Sequence, residues 1–217
     1  MKKELSTNEF IKIILAICDN VEKEKDYLSE LDRATGDGDH GVTMSIGWSA
    51  VKEKVSTLED NFTFDKICMQ IASSFLSAVG ASAGPLYATA LMRGGAKLKV
   101  LTVINSLQLS ECFDAAANGI QDRGKANLGD KTMLDVWLPT AKKIKDISLS
   151  TDDITESLKE GSLTANEKML STKDMLSKKG RSSKLGERRR GNIDTGDASS
   201  ALILKTFHDD TKNLYIY

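Results

Sequence analysis

The chain has 217 residues, of which 30 are Lys or Arg and 31 are Asp or Glu, and its formal net charge is −1. This balance argues against a dedicated nucleic-acid binder, and an apolar fraction of 40% argues against disorder. No apolar run is long enough for a membrane span, and the first residues lack the apolar core of a signal peptide. The three cysteines form no C-x-x-C pair. We expect residues 1–217 to form a single cytoplasmic domain.

Apolar residues recur at helical spacing through most of the chain. A first helix is predicted from Phe10 to Leu31, where Ser6 and Glu9 have the spacing of a capping box. Seven more helices are predicted at 42–55, 64–79, 85–94, 106–121, 131–147, 152–177 and 195–213. The segment 97–103 is the only one weighed as a strand, and helix is favoured elsewhere. Because strands and helices do not alternate, a Rossmann or P-loop sheet is disfavoured.

The loops between alternate predicted helices are rich in Gly, Asp and Ser. They cover residues 35–41, 80–84, 124–131 and 180–196. In an up-and-down helical array, alternate loops lie at the same end. The sequence therefore predicts an all-α fold with one composite site at a single rim.

Three carboxylates, Asp32, Asp37 and Asp39, fall within eight residues of the first loop. Crowded carboxylates repel each other unless a cation neutralises them, and hard oxygen ligands suit Mg²⁺ or Ca²⁺. An EF-hand does not fit, because the twelfth position counted from Asp37 is Trp48 rather than Glu. A solvated acidic turn, with Asp39 or Thr43 capping the next helix, explains the residues about as well.

The second loop, Gly-Ala-Ser-Ala-Gly-Pro at 80–85, can offer backbone N–H groups to an anion at a helix N-terminus. A tight turn between two helices needs the same small residues and is favoured when this loop is considered alone. The third loop imitates a Walker A motif, but Asp130 separates Gly129 from Lys131 and no strand precedes it, so we reject a P-loop.

The fourth loop is strongly basic, since seven of the residues from Lys178 to Gly191 are Lys or Arg. Such a patch suits phosphate, although a solvated basic loop is an equally ordinary explanation. A nucleic-acid site here is a minor alternative, because no aromatic residues interleave with the charges. Of the two histidines, His40 lies inside the acidic loop and can hydrogen-bond a phosphate, whereas His208 is expected to be structural.

Taken together, four motifs resemble one family. GDGDHG at 36–41, GASAGPLY at 80–87, RGKANLGDKTM at 123–133, and GRSSKLGER with GNIDTGDASS within 180–200 are similar to the nucleotide-binding L subunits of dihydroxyacetone kinases. The order, spacing and length match the free-standing subunit of the phosphotransferase-system-dependent enzymes. Relatives of the fatty-acid kinase type carry Thr where this chain has His40, so His40 favours the dihydroxyacetone branch. Asn192 and Thr195 stand where relatives usually carry His and Pro.

The resemblance implies an antiparallel eight-helix barrel with a nucleotide at one end. Asp32, Asp37 and Asp39 would hold Mg²⁺, expected as two ions, and with His40 would form the catalytic group. Gly124 and Met133 would frame the adenine. The residues that the resemblance places around ADP or ATP are His40, Gly41, Val42, Thr43, Ala81, Ser82, Gly124, Met133, Arg181, Asp194, Thr195 and Gly196.

The resemblance also implies a phosphotransferase, the kinase subunit of a phosphoenolpyruvate–glycerone phosphotransferase. A separate K subunit would hold dihydroxyacetone covalently through a histidine, and this chain would deliver the γ-phosphoryl group of ATP. A phosphohistidine on an M subunit would then rephosphorylate the bound ADP. A homodimer is left open. The alternative function is a nucleotide-sensing regulatory module that acts on a transcription factor or another protein.

Overall fold

The structure is a computed structural model, which describes residues 1–34, 36–58, 62–179 and 190–214. Its elements are almost all helices. In chain order they are β1 (Glu4–Ser6), α1 (Thr7–Lys23), α2 (Lys25–Arg33), α3 (His40–Val55), α4 (Phe64–Ala78), α5 (Ala83–Lys97), β2 (Val103–Asn105), α6 (Ser106–Gly124), α7 (Leu134–Ser148), α8 (Ile154–Ser171), a 3-10 turn (Thr172–Asp174) and α9 (Thr195–Asn213).

The predicted capping box at the start of α1 is confirmed. The Ser6 hydroxyl accepts the backbone N–H of Glu9 at 3.3 Å, and the Glu9 carboxylate accepts the backbone N–H of Ser6 at 2.8 Å. Strand β1 just before it pairs antiparallel with β2, with Leu5 opposite Ile104. The segment weighed as a strand at 97–103 consists mostly of turns, and strand pairing begins only at its last residue, Val103.

The first predicted helix, Phe10 to Leu31, is in fact two helices that meet at Glu24. The apolar stripe of α1 ends at Val21, and five charged residues follow it from Glu22 to Asp26. Leu28 of α2 is buried in a separate small cluster with Ile193 and Ala198. The chain therefore changes direction where the continuous stripe is lost, and α2 packs on α3 and α9.

Two other predicted helix boundaries were wrong, the start of α7 and the end of α8. The other predicted helix ends lie within about three residues of those in the structure. Helix α7 begins at Leu134 rather than Lys131, because Lys131 has a left-handed backbone (φ +59°) that a helix cannot contain. Helix α8 ends at Ser171 rather than 177, where a 3-10 turn replaces the last predicted turns.

The eight longer helices pack in cyclic order. Each one from α3 to α8 contacts the next in the chain, α1 contacts α3, and α9 returns to α1. The all-helical class is confirmed, whereas the antiparallel eight-helix barrel stays a prediction in its detail, since α2 adds a further helix. In this arrangement, the loops before α3, α5, α7 and α9 share one end of the ring.

Aromatic rings from several helices meet at the centre. Phe10 of α1 lies 5.3 Å from Phe64 of α4 and 6.1 Å from Phe207 of α9, as measured between ring centroids. Phe113 of α6 contacts Phe207 edge-on at 5.4 Å and also approaches Trp137 of α7. These contacts fix the helices that carry the rim loops. Within the described ranges, no helix is long and apolar enough to cross a membrane.

Candidate functional site

The three aspartates of the first loop converge at the rim. Asp32 lies in the last turn of α2 and is buried, whereas Asp37 and Asp39 are exposed on the loop before α3. One carboxylate oxygen from each lies within 4.8 Å of the others. No other cluster of three or more potential metal ligands is found among the described residues. Three convergent carboxylate oxygens suit a hard divalent cation such as Mg²⁺.

The loop is wrapped around the Asp32 side chain. Its Oδ2 atom accepts the backbone N–H groups of Gly38 at 2.9 Å and Asp39 at 3.1 Å. A side chain at Gly36 would meet Asp32 Oδ1 at 2.5 Å, and Gly38 has a left-handed backbone (φ +77°). The two glycines therefore let the backbone close around one carboxylate while the neighbouring aspartates turn to the same point.

The residues predicted to contact phosphate, His40 to Thr43, form the first turn of α3. The N–H groups of a first turn lack partners inside the helix and favour anions. Within this turn, Thr43 donates its N–H to the Asp39 carbonyl at 2.9 Å. Gly41 is buried against α2, where a Cβ would lie 1.9 Å from the Lys25 carbonyl oxygen. This contact brings the start of α3 against the helix that carries Asp32.

Ala81 and Ser82 are exposed just before α5, and their contact with phosphate stays a prediction. Gly84 is required here, because a Cβ would lie 2.1 Å from the Val79 carbonyl oxygen. Gly124 ends α6 beside the first turn of α5, where a Cβ on Gly124 would lie 3.2 Å from the Leu86 side chain. The second and third loops are therefore neighbours.

The third loop is held in place by polar contacts that no motif in the sequence indicates. The Asp135 carboxylate accepts the N–H groups of Gly129 at 2.5 Å and Thr132 at 2.9 Å. Lys131 is buried, and its ammonium donates to the carbonyl oxygens of Met175 at 3.2 Å and Asn192 at 2.8 Å. Lys131 therefore joins the third and fourth loops instead of binding phosphate as a Walker lysine would.

The described part of the fourth loop leads directly into α9. Asp194 caps this helix by accepting the N–H of Asp197 at 3.2 Å, and Thr195 is buried beside it. Gly196 lies against Met133, which is buried just before α7; a Cβ on Gly196 would lie 3.5 Å from that of Met133. The predicted contact residue Arg181 falls in 180–189, outside the described residues.

A polar network behind the rim was also missed. His40 Nε2 lies 3.0 Å from the Ser199 hydroxyl, and the Tyr87 hydroxyl lies 3.2 Å from both Ser199 and Ser200. The indole N–H of Trp137 donates to Ser200 at 3.0 Å. In the sequence, adjacent serines in a helix carry no distinctive signal.

Burial shifts the pKa of several groups near this network. It lowers the pKa of His40, an effect opposed by the negative charge of Asp32, and it raises the pKa of Tyr87 to about 12. Asp197 is fully buried, and neither of its oxygens makes a hydrogen bond of normal geometry within the described ranges. Burial and the charges of Asp194 and Asp135 therefore raise its pKa well above the usual value.

The structure thus connects the described parts of the four loops. His40 links the first loop to α9, Gly124 links the second and third, and Lys131 links the third and fourth. The rim combines a carboxylate cluster with small-residue helix starts, and Met133 is buried against Gly196 beside it. Such a combination can bind a cation together with a phosphate-bearing ligand.

Residues 34–209 match the family model of the DAK2 domain, and the chain belongs to this family. The chain is 38% identical to the ADP-binding subunit DhaL of the PTS-dependent dihydroxyacetone kinase of Lactococcus lactis, over 87% of this chain and 89% of that one. It is 37% identical to the ADP-binding subunit DhaL of PEP-dependent dihydroxyacetone kinase 1 of Listeria innocua, over 85% and 87%. It is 33% identical to the corresponding Escherichia coli K12 subunit, over 93% and 95%.

Among solved structures, the dihydroxyacetone kinase of C. freundii in complex with AMP-PNP and Mg²⁺ superposes with a TM-score of 0.74 at 18% identity. The match covers 96% of this chain and 35% of that longer chain. At this identity the likeness shows the fold. The resemblance inferred from the four motifs is confirmed by the relatives named above.

Proposed function

We propose that this chain is the nucleotide-binding subunit of a dihydroxyacetone kinase that takes phosphoryl groups from the phosphotransferase system. The observation that carries the proposal is its match to separate ADP-binding subunits along almost their whole length. The carboxylate cluster at the rim supports it independently of the names. We further propose that residues 1–217 act as one domain.

Asp32, Asp37 and Asp39 would hold Mg²⁺, and we propose two ions. The residues fit this group because their oxygens converge within 4.8 Å and the loop backbone is fixed by Asp32 itself. Bound Mg²⁺ neutralises the charge of phosphoryl oxygens during transfer. Asp32 has two tasks, since it holds the loop through Oδ2 and contributes charge to the cluster.

The nucleotide phosphates would lie against the first turns of α3 and α5, where Gly41, Val42, Thr43, Ala81 and Ser82 present their backbone. The helix starts favour the negative phosphate charge, and the exposed residues among these five leave room for the ligand. His40 would add a side-chain donor at the same place.

The adenine would lie between the end of α6 and Met133, as Gly124 permits close approach and the thioether offers a soft apolar surface. Asp194, Thr195 and Gly196, which lie against Met133, would border the base and ribose from the start of α9. Arg181 would close over the nucleotide from the fourth loop.

In the proposed reaction, the γ-phosphoryl group passes from ATP to a hydroxyl group of dihydroxyacetone that is held on a K subunit. The ADP stays bound and receives a new phosphoryl group from a phosphohistidine on an M subunit. The rim must therefore face two partners in turn, because neither the ketose pocket nor the donor histidine belongs to this chain. Catalysis by this chain is mainly positioning and charge stabilisation.

The test is reconstitution with the K and M subunits of the Escherichia coli enzyme, phosphoenolpyruvate and the general proteins of the phosphotransferase system. Formation of dihydroxyacetone phosphate that requires this chain supports the proposal, and Asp37→Ala or Asp39→Ala should abolish it. The matched control is Asp146→Ala, which changes an exposed carboxylate near the opposite end of α7. If the relative's partners do not pair with this chain, the direct nucleotide measurements described below decide whether it binds Mg-ADP.

A further inference from the structure

The buried polar network behind the rim has a definite direction of hydrogen bonding. Its centre is the Ser199–Ser200 pair in the first turns of α9, which contacts His40 on one side and Trp137 on the other, with Tyr87 between them. Both serines are fully buried. Each hydroxyl has one proton to donate, so the partners determine where each proton goes.

The direction is fixed first at Ser200. The Trp137 indole N–H can only donate, so the Ser200 oxygen must accept it. The Ser200 proton is then free to go to the Gly196 carbonyl oxygen, which lies 2.7 Å away. This carbonyl also accepts the backbone N–H of Ser200 in the regular α-helical pattern. Its two lone pairs are then in use.

The Ser199 proton is therefore left for His40. The Ser199 hydroxyl lies 3.1 Å from the same Gly196 carbonyl, which is a longer contact to an acceptor that already has two donors. His40 Nε2 lies at a comparable distance, 3.0 Å, and in the tautomer protonated at Nδ1 it has a lone pair that can accept this proton. Burial raises the pKa of Tyr87 to about 12, so its hydroxyl keeps its proton and can donate to Ser199. The result is a chain of donors from Tyr87 through Ser199 to His40.

We infer that Ser199, supported by Tyr87, is a positioning residue that holds neutral His40 with its proton on Nδ1. An acceptor at Nε2 leaves Nδ1–H as the only donor of the ring. If the proposed function holds, this is the donor that His40 offers to a nucleotide phosphate. The residue acts through His40 and does not touch the reacting atoms itself.

The experiment is nuclear magnetic resonance on protein labelled with ¹⁵N-histidine, at about pH 8, where an ordinary imidazole is neutral. Long-range ¹H–¹⁵N correlations distinguish protonated from unprotonated ring nitrogens. The chain has only two histidines, and His208, which contacts Asp209, serves as the internal reference. We expect His40 to carry its proton on Nδ1. A proton on Nε2 in the unsubstituted protein would overturn the inference.

Variants test whether Ser199 is the cause. Ser199→Ala should move the His40 proton toward Nε2, and Ser199→Thr should restore it to Nδ1 because the hydroxyl is kept. Ser110→Ala is the matched control, since it removes another fully buried serine hydroxyl, one that donates to the Leu107 carbonyl within α6. Unchanged His40 signals in a folded Ser199→Ala protein would contradict the inference. If Ser199→Ala does not fold, Tyr87→Phe provides a second test, in which His40 should lose part of its preference for Nδ1.

A binding measurement separates this inference from the proposed function. Loss of one donor to a charged phosphate should weaken Mg-ADP binding by Ser199→Ala about tenfold to a hundredfold, while Ser110→Ala should bind nearly as wild type does. If the wild-type chain binds no nucleotide, the proposed function fails, and the position of the His40 proton is then decided by the spectrum alone. Equal Mg-ADP affinity in Ser199→Ala and wild type would refute the use of Nδ1–H for phosphate.

Discussion

Asp32 provides the sharpest separation between folding and binding, because its carboxylate both holds the loop and contributes charge. Replacing it with Asn keeps one oxygen that can accept the N–H groups of Gly38 and Asp39, whereas Ala loses both hydrogen bonds. Each is worth about 1–2 kcal/mol for a charged acceptor whose donors lie on a partly exposed loop. We therefore expect Asp32→Ala to lose about 2–4 kcal/mol of unfolding free energy.

Asp32→Asn should behave differently because it removes repulsion. At separations of up to 4.8 Å, two carboxylates in a water-like medium repel each other by about 1 kcal/mol. Removing one charge of three relieves two such pairs, which offsets any weakening of the loop hydrogen bonds. Without Mg²⁺, Asp32→Asn should therefore be at least as stable as wild type.

The assay is urea unfolding in the presence and absence of Mg-ADP. Wild type should be stabilised by Mg-ADP, since a ligand that binds only the folded state raises its stability. Asp32→Asn should lose most of this ligand-dependent gain while keeping its basal stability. The reasoning is refuted if Asp32→Asn keeps the full gain, or if Asp32→Ala is as stable as Asp32→Asn in the absence of ligand.

Three further predictions concern the residues around the cluster. Because the pKa of Asp197 is raised, the folded chain keeps a proton that the unfolded chain releases above about pH 3.9. The free energy of unfolding should therefore fall by up to about 1.4 kcal/mol per pH unit as the pH rises. Urea titrations from about pH 4 to about pH 7 should show this fall in wild type and not in Asp197→Asn. Gly41→Ala should cost several kcal/mol and displace α3, because its Cβ would meet the Lys25 carbonyl, whereas Gly80→Ala, with open space around it, should be nearly neutral in thermal unfolding. Lys131→Met should lower the unfolding free energy by about 2–4 kcal/mol, since it removes the donor to two carbonyl oxygens. Urea unfolding followed by circular dichroism measures this loss, and a smaller loss would mean that other contacts hold the loops.

The helices were predictable where the apolar spacing was continuous, and α3, α4 and α9 show this. The break at Glu24 was not, because local propensity favours helix on both sides and the change of direction comes from the separate packing of Leu28. Strand β2 was not predicted either, since the segment weighed as a strand overlaps it only at Val103. Its partner lies at the chain terminus, and pairing over that sequence distance leaves no local pattern.

The candidate site was predictable to the extent that it consists of loop residues. The carboxylate cluster and the common rim follow from spacing and helix alternation, and the motifs added their resemblance to a family. The supporting polar groups were not predictable. The sequence rules out a Walker lysine at Lys131 but does not show its partners, and only the fold shows its ammonium bonded to backbone carbonyls. The contacts of Ser199 with His40 and Tyr87 likewise appear only when α9 packs against α3 and α5.

The most direct test of the central claim is the content of the protein as purified without added nucleotide. The protein would be denatured, the released nucleotide identified by chromatography, and magnesium measured in the same preparation. We predict nearly one ADP per chain, accompanied by about two Mg²⁺. A protein that contains no nucleotide and shows no magnesium-dependent binding of added ADP would contradict the account.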